Sequence, residues 1–555
     1  MKCRDIPALS ISIVKDTNVY YQGAFGVKYV HLAPTFPSNK VTNQTLFCVG
    51  SLSKAFNAAL MIRLSMLKYF NLEDDLASML SVSKPNNCPS QANTLTDVLS
   101  HRSNLVAYHY MTFFGFSHNN SDEIVTKLCD WPMYAYRNPA KISNHNYNNL
   151  ATSLSNSVVK KFTNLTWLQA LHKYLLVPIG FAERDASSLT EMDFNSAAQS
   201  TISYNNVYYT VDRKRLMNLQ NLSPALGLCI STDGASKWLK FLLTGNNSNN
   251  RDNNIHNDND NNHNNNDNNN NNNNMKNLNI EGTNTDLAAI LEILFQRRTI
   301  LNGAKYDRER HNLIFENPTF AAMGWYGTNY NKYTIIYHTG FLYGYMSVIA
   351  IVQERKLAFY LSISGSDSFG RDEILSLILQ PLIEHMLTGS DLPLYPAEAC
   401  AMPKPKLPNL TCWLTNPIRT VDANFCTDIK GTYFNEMLGT LEVSFAHESN
   451  LWLSKTGTQL SNIHVGNTDS CQNTTLAIRF GLIGYGLLCP RRRIGNGKIE
   501  FEVIIADALL RFFFHKCSSN QSIHCAHILI YDPSVFTITF ILIDSLNPAV
   551  FSKIR

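Results

Sequence analysis

Ser51-Leu52-Ser53-Lys54 sets a hydroxyl and an amine three residues apart, within Phe47-Cys48-Val49-Gly50-Ser51-Leu52-Ser53-Lys54-Ala55-Phe56. The stretch reads as a strand end, a glycine turn and an apolar helix from Ala55 to Leu67. That layout puts the Ser51 hydroxyl at a helix N-terminus, where free backbone N–H groups favour developing negative charge. Lys54 then lies one turn away on the same face. A lysine desolvated in a pocket can lose its proton near neutral pH and activate a serine nucleophile. The same spacing also occurs at Ser12 and Lys15, Ser65 and Lys68, Ser81 and Lys84, and Ser157 and Lys160, so the tetrapeptide needs context.

The elements that must position such a pair can be read along the chain. At 555 residues the chain is too long for one ordinary core. It opens with a hairpin in which Leu9, Ile11 and Ile13 alternate with small or polar residues. Asp16-Thr17-Asn18 makes the turn and Val19-Tyr20-Tyr21 returns. From Lys54 to about Leu243 the pattern is mostly helical, with an amphipathic helix over Trp167 to Leu176. Residues 246–274, in which 20 of 29 are Asn, form a low-complexity insert that is expected to be disordered. Strands follow at Tyr333 to Tyr337, Ser347 to Val352 and Leu357 to Ile363, then a helix at Asp372 to Leu387.

Prolines at 393, 396, 403, 405 and 408 mark a stiff linker. Beyond it, short alternating runs such as Leu441 to Val443, Ile499 to Ile505 and Phe536 to Ile543 predict a small barrel or sandwich. The expected organisation is therefore a first domain over 1–392, a linker over 393–408 and a β-rich domain over 409–555.

Composition narrows the partners. A formal net charge of +4 and a single arginine run, Arg491 to Arg493, read as a solvated turn, argue against nucleic acid. No apolar run reaches the roughly 18 residues of a membrane-spanning helix. Met1 to Pro7 lacks the apolar centre of a signal peptide, and a strand begins almost at once. An upstream segment is expected on that ground, which leaves the compartment open. Seven of the 12 cysteines fall after residue 399 without CxxC spacing, so neither zinc nor another metal or cofactor is expected. For that C-terminal part the spacing leaves two readings open, some disulfides or free buried thiols.

Several ordered stretches resemble the serine β-lactamase-like family, which includes class C β-lactamases, penicillin-binding proteins and esterases. Ile6 to Leu9 looks like its first strand, Phe47 to Phe56 its nucleophile segment, and Leu72-Glu73-Asp74-Asp75 the acidic stretch after the nucleophile helix. Thr94 to Leu105, with Ser100-His101-Arg102-Ser103-Asn104-Leu105, resembles "LSHTSGL". Ser231-Thr232-Asp233 and His338-Thr339-Gly340 complete the order, and only Ser51 among the five spaced pairs fits it. The resemblance covers about residues 6 to 390. It implies an α+β fold, an antiparallel sheet flanked by helices with a helical subdomain.

The same resemblance implies roles. Ser51 would attack a carbonyl and Lys54 would take its proton. Asn144 would contact substrate and orient Lys54, and His338 and Gly340 would shape the strand edge. The backbone N–H groups of Ser51 and Phe341 would form the oxyanion hole. In the stretch Asn138 to Ala151, Ser143-Asn144 falls on the family's Ser-Asn pair and Ile142 replaces its catalytic tyrosine. Tyr147 coincides with a packing aromatic, with service as a substitute general base as its other reading. Lys455-Thr456-Gly457 spells the third motif but lies out of order, as a hairpin turn.

Ile429 to Val443 resembles "GxYxNxxYGxLxV" of the lipocalin-like domains attached to animal members of the family. The function implied is hydrolysis of a small-molecule or peptide ester or amide through acyl-Ser51, slowed by loss of the tyrosine. The alternative is a pseudoenzyme that binds a ligand or protein partner, favoured by Ile142 and by Asn104 at a glycine position.

Overall fold

The structure is a computed structural model that describes residues 1–81, 94–103, 105, 145–204, 207–210, 220–245, 285–301, 315, 318–330, 332–342, 344–365, 373–391, 400, 428–435, 439–445, 476–480, 484–494, 498–505, 527–532, 537–541 and 549–554. The Asn-rich insert, Ile142, Asn144, the Lys455 to Gly457 stretch and all of the proline linker but residue 400 lie outside them.

The predicted hairpin forms β1 (Ala8–Lys15) and β2 (Asn18–Gly26), with Asp16 in the left-handed region at φ 57°. After β3 (Phe47–Cys48) the chain enters helix α1 (Ser53–Met66) through a 3-10 turn at Gly50–Leu52. Three strands of the helical stretch, β4 (Ala186–Ser188), β5 (Thr201–Tyr204) and β6 (Val207–Thr210), are too short to leave a period. Then come β7 (Leu228–Ile230), β8 (Thr299–Ile300), β9 (Phe320–Ala322), β10 (Trp325–Tyr330), β11 (Tyr333–Leu342), β12 (Tyr345–Val352) and β13 (Leu357–Ser364). The main sheet runs β2-β1-β13-β12-β11-β10-β9-β8 with every neighbour antiparallel. Its middle is closed by the first strand pairing the last, Ala8 opposite Ser364 and Lys15 opposite Leu357.

Both faces of this sheet are covered, and the strands show it. Tyr345–Val352 and Leu357–Ser364 lack the polar alternation of a half-exposed strand, and all their positions are buried. The serines they carry, Ser347, Ser362 and Ser364, are buried as well. On one face Val14, Ala358, Tyr360, Ile349 and Ile351 join the core around α1. On the other, Ile11, Ile13, Phe359, Leu361 and Ile363 pack with Leu375, Leu379 and Ile383 of a C-terminal helix, Glu373–Thr388. The polar positions of β1 are buried too: Ser10 Oγ bonds Thr232 Oγ1 at 2.6 Å and Ser12 Oγ bonds Ser236 Oγ at 2.8 Å, both on the helix Thr232–Thr244. Hydroxyl pairs satisfy what burial would otherwise leave open.

Helix α1 is buried from Ser53 to Leu64. A helix enclosed on every side sits at the centre of its domain. Phe56 stacks on Trp238 with ring centroids 4.0 Å apart, locking α1 to the helix Thr232–Thr244. The start of α1 is tied to a small sheet, β3-β7-β4, and Cys48 of β3 is disulfide-bonded to its strand partner Cys229 of β7. A second disulfide joins Cys3 to Cys400. The Cys48 bridge thus lies in the first unit, outside the C-terminal part where the cysteine spacing pointed.

Eight further strands among the described residues, β14 (Gly431–Asn435), β15 (Gly439–Phe445), β16 (Leu476–Phe480), β17 (Gly484–Ile494), β18 (Lys498–Ile505), β19 (His527–Asp532), β20 (Thr537–Ile541) and β21 (Ala549–Lys553), close into a barrel. Closure through β14 and β21, Tyr433 opposite Lys553, removes the exposed edges a sandwich would keep. Arg491 to Arg493 lie inside β17 rather than in a turn, because the strand continues to Ile494.

Candidate active site

The turn that carries Ser51 owes its shape to backbone contacts. Gly50 has φ +54°, and a Cβ there would lie 2.5 Å from the carbonyl oxygen of Phe341. Gly340 is as constrained, since a Cβ would meet the carbonyl oxygen of Val49 at 1.9 Å. Ser347 Oγ donates to that same carbonyl at 2.7 Å. Strand β11 is thereby pressed, backbone to backbone, against the turn that carries Ser51. On the opposite side Ser53 Oγ donates to Gly50 O at 2.6 Å and accepts from Leu228 N–H at 3.0 Å.

Lys54 is the second residue of α1 and is 2 % exposed. Its Nζ lies 3.0 Å from Ser51 Oγ, 2.7 Å from Asn149 Oδ1 and 2.8 Å from Ala225 O. Burial pushes its pKa well below the ordinary lysine value, with desolvation as the cause. A neutral amine suits this geometry. Its two N–H bonds can go to Asn149 and Ala225, leaving the lone pair to accept the Ser51 proton.

Tyr147 O–H donates to Ser51 Oγ at 2.8 Å, and Lys54 Nζ stands 4.7 Å over the Tyr147 ring. The sequence left two readings for Tyr147, packing aromatic or substitute general base; its ring packs on that of His101 with centroids 4.4 Å apart, and its hydroxyl lies within hydrogen-bond distance of Ser51 Oγ. The asparagine that meets Lys54 is Asn149, two residues after Tyr147, whereas Asn144 lies outside the described residues. Asn149 opens the helix Asn149–Ser153, whose N-cap Asn148 accepts from Ala151 N–H at 2.9 Å. The signal for this pair was in the sequence as Tyr147-Asn148-Asn149, five residues beyond the frame that put Ile142 at the tyrosine position.

His338 lies on β11 opposite Ile349 and is 3 % exposed. Burial, with Lys54 nearby, pushes its pKa down to about 3, so it is neutral at physiological pH. Its Nδ1 bonds Thr339 O. Tyr326, partly buried, bonds His145 Nε2 at 3.1 Å and its ring centroid is 5.4 Å from that of His338. Among the described residues, no group of three or more His, Cys, Asp or Glu side chains could hold a metal ion. Nor, among the same residues, is any helix long and apolar enough to cross a membrane.

The Beta-lactamase family model matches residues 1–380. The chain belongs to the beta-lactamase family. No curated protein matches this family member. Among solved structures it is similar to the octameric penicillin-binding protein homologue from Pyrococcus abyssi, at 14% identity over 99% of this chain and 96% of that one, TM-score 0.48. It is similar to the class C beta lactamase from Rhodobacter sphaeroides at 16% identity over 69% of this chain and 95% of that one, TM-score 0.48. A D-stereospecific amidohydrolase from Streptomyces sp. is similar at 13% identity over 70% of this chain and 96% of that one, TM-score 0.44.

Proposed function

We propose that this beta-lactamase-family protein is a serine hydrolase that opens an ester or amide through an acyl-Ser51 intermediate. The observation that carries the reading is the convergence of Lys54 Nζ and Tyr147 Oη on one atom, Ser51 Oγ, at 3.0 and 2.8 Å. Ser51 Oγ attacks the substrate carbonyl as its proton passes to Lys54. Negative charge on the carbonyl oxygen is met by the backbone N–H groups of Ser51 and Phe341. The Tyr147 phenol delivers a proton to the departing oxygen or nitrogen as the carbonyl–leaving-group bond breaks. Water then attacks the acyl group, losing a proton to the same pair, and Ser51 leaves with a proton restored. Asn149 and Ala225 hold Lys54 in line throughout.

The test is covalent labelling. Purified protein is incubated with a fluorophosphonate and, separately, a penicillin, and intact and peptide masses are measured. A fluorophosphonate adduct on Ser51 that is absent from Ser51→Ala is expected. Failure to label wild type under conditions that label an active serine hydrolase would return the protein to the pseudoenzyme reading.

A further inference from the structure

Tyr147 lies outside any helix or strand, two residues before the helix Asn149–Ser153. The phenol still needs something to fix it over Ser51. The short helix Leu95–Leu99 is started by a Thr94–Asp97 capping box and is followed by Ser100 and His101, the latter in the left-handed region at φ 57°. A non-glycine residue there is uncommon and strained, so its neighbours must hold it. Arg102 N–H donates to Asp97 O at 2.7 Å, and the Arg102 side chain pairs with the Asp97 carboxylate at 2.9 Å.

From that position His101 reaches both amides that flank Tyr147. Its carbonyl accepts from Asn146 N–H at 2.6 Å, and its Nδ1 accepts from Asn148 N–H at 3.2 Å. Its ring lies against the Tyr147 ring, centroids 4.4 Å apart. A second pair of bonds reinforces the first: Asn146 Nδ2 and Asn148 Nδ2 both donate to Leu105 O, at 2.9 and 3.0 Å. The residues on either side of Tyr147 are thus bound to His101 and Leu105. His101 is 4 % exposed, and acceptance at Nδ1 puts its ring proton on Nε2.

We infer that His101 is a positioning residue for Tyr147, acting through the Nδ1 bond to the Asn148 amide, the carbonyl bond to the Asn146 amide and the ring contact. The inference rests on the proposed function only for its kinetic readout. A displacement of the phenol by about 1 Å is enough to lower a rate about 100-fold.

Two measurements test it on the full chain. The first is a double-mutant cycle on the rate of fluorophosphonate labelling of Ser51. His101→Leu is expected to slow labelling about 10- to 100-fold in the wild-type background and less than about threefold in Tyr147→Phe, because its effect is already spent there. His101→Asn, which offers an oxygen where Nδ1 stood, is expected to recover at least half of the loss on a logarithmic scale. Equal losses in both backgrounds, or no rescue by asparagine, overturn the inference. The second is independent of catalysis. In protein carrying 13Cζ-tyrosine, the Tyr147 signal, identified by its absence from Tyr147→Phe, should shift or broaden in His101→Leu and return in His101→Asn. An unchanged signal overturns the inference even if Ser51 reacts with nothing. Should the leucine variant fail to fold, His101→Asn and His101→Gln carry the same comparison, since glutamine sets its acceptor at the ε position and should not rescue.

Discussion

Tyr147 Oη and Ser51 Oγ lie 2.8 Å apart although 96 residues separate them in the chain. That distance joins two elements that no local pattern relates, the turn before α1 and the segment before the helix Asn149–Ser153. Ser51 is consequently flanked by a phenol and an amine from different parts of the fold.

Tyr147→Phe removes the phenol while keeping the ring against His101 and Lys54. Fluorophosphonate labelling of Ser51 should slow by about 10²- to 10⁴-fold with little change in thermal midpoint. A rate within about threefold of wild type would remove Tyr147 from the mechanism.

The two candidate asparagines can be separated directly. Asn149→Ala deletes the acceptor for Lys54 Nζ and should cost about tenfold in labelling rate. Asn144→Ala should cost less. The reverse ranking would favour Asn144, the residue that the resemblance pointed to.

The pH profile should report Lys54. Because burial lowers its pKa, the neutral base becomes available well below the range in which a free lysine loses its proton. Labelling rate is expected to rise with pH through that lowered pKa and then level off, and Lys54→Met should abolish the limb. A limb that coincides with ordinary lysine titration, near about 10.4, would contradict the role assigned to burial.

His338 supplies a stability test of opposite character. Its folded-state pKa of about 3 lies below that of an unfolded histidine, about 6.5. The unfolded chain therefore binds the extra proton first as pH falls. The stability linked to neutral His338 is complete above about pH 6.5 and is lost progressively toward about pH 3. His338→Gln should flatten that part of the urea-midpoint profile, and an unchanged profile would contradict the assignment.

Ser51 was legible as the candidate nucleophile because it alone stood in order with the later motifs, each a short contiguous string. The contact of Tyr147 with Ser51 was obscured for the same reason. A contiguous frame from Asn138 to Ala151 put Ile142 at the tyrosine position, while the fold sets Tyr147 and Asn149 on Ser51 and Lys54. The β1 hairpin and β11 to β13 carried enough alternating or apolar residues to be read. Strands β4 and β7, three residues each, had no period to show. The Cys48–Cys229 pairing arises from a strand register spanning 181 residues, which cysteine spacing does not encode.

The pairing of Ala8 with Ser364 also sets a timetable. At roughly 5–20 residues per second, the ribosome finishes β1 long before β13 exists, so the first hairpin waits on the order of tens of seconds for its permanent neighbour. Strand β11, which braces the Ser51 turn, emerges in the same late interval. During synthesis Ser51 is made early and becomes surrounded last, so a nascent chain released before residue 364 carries Ser51 without its pocket.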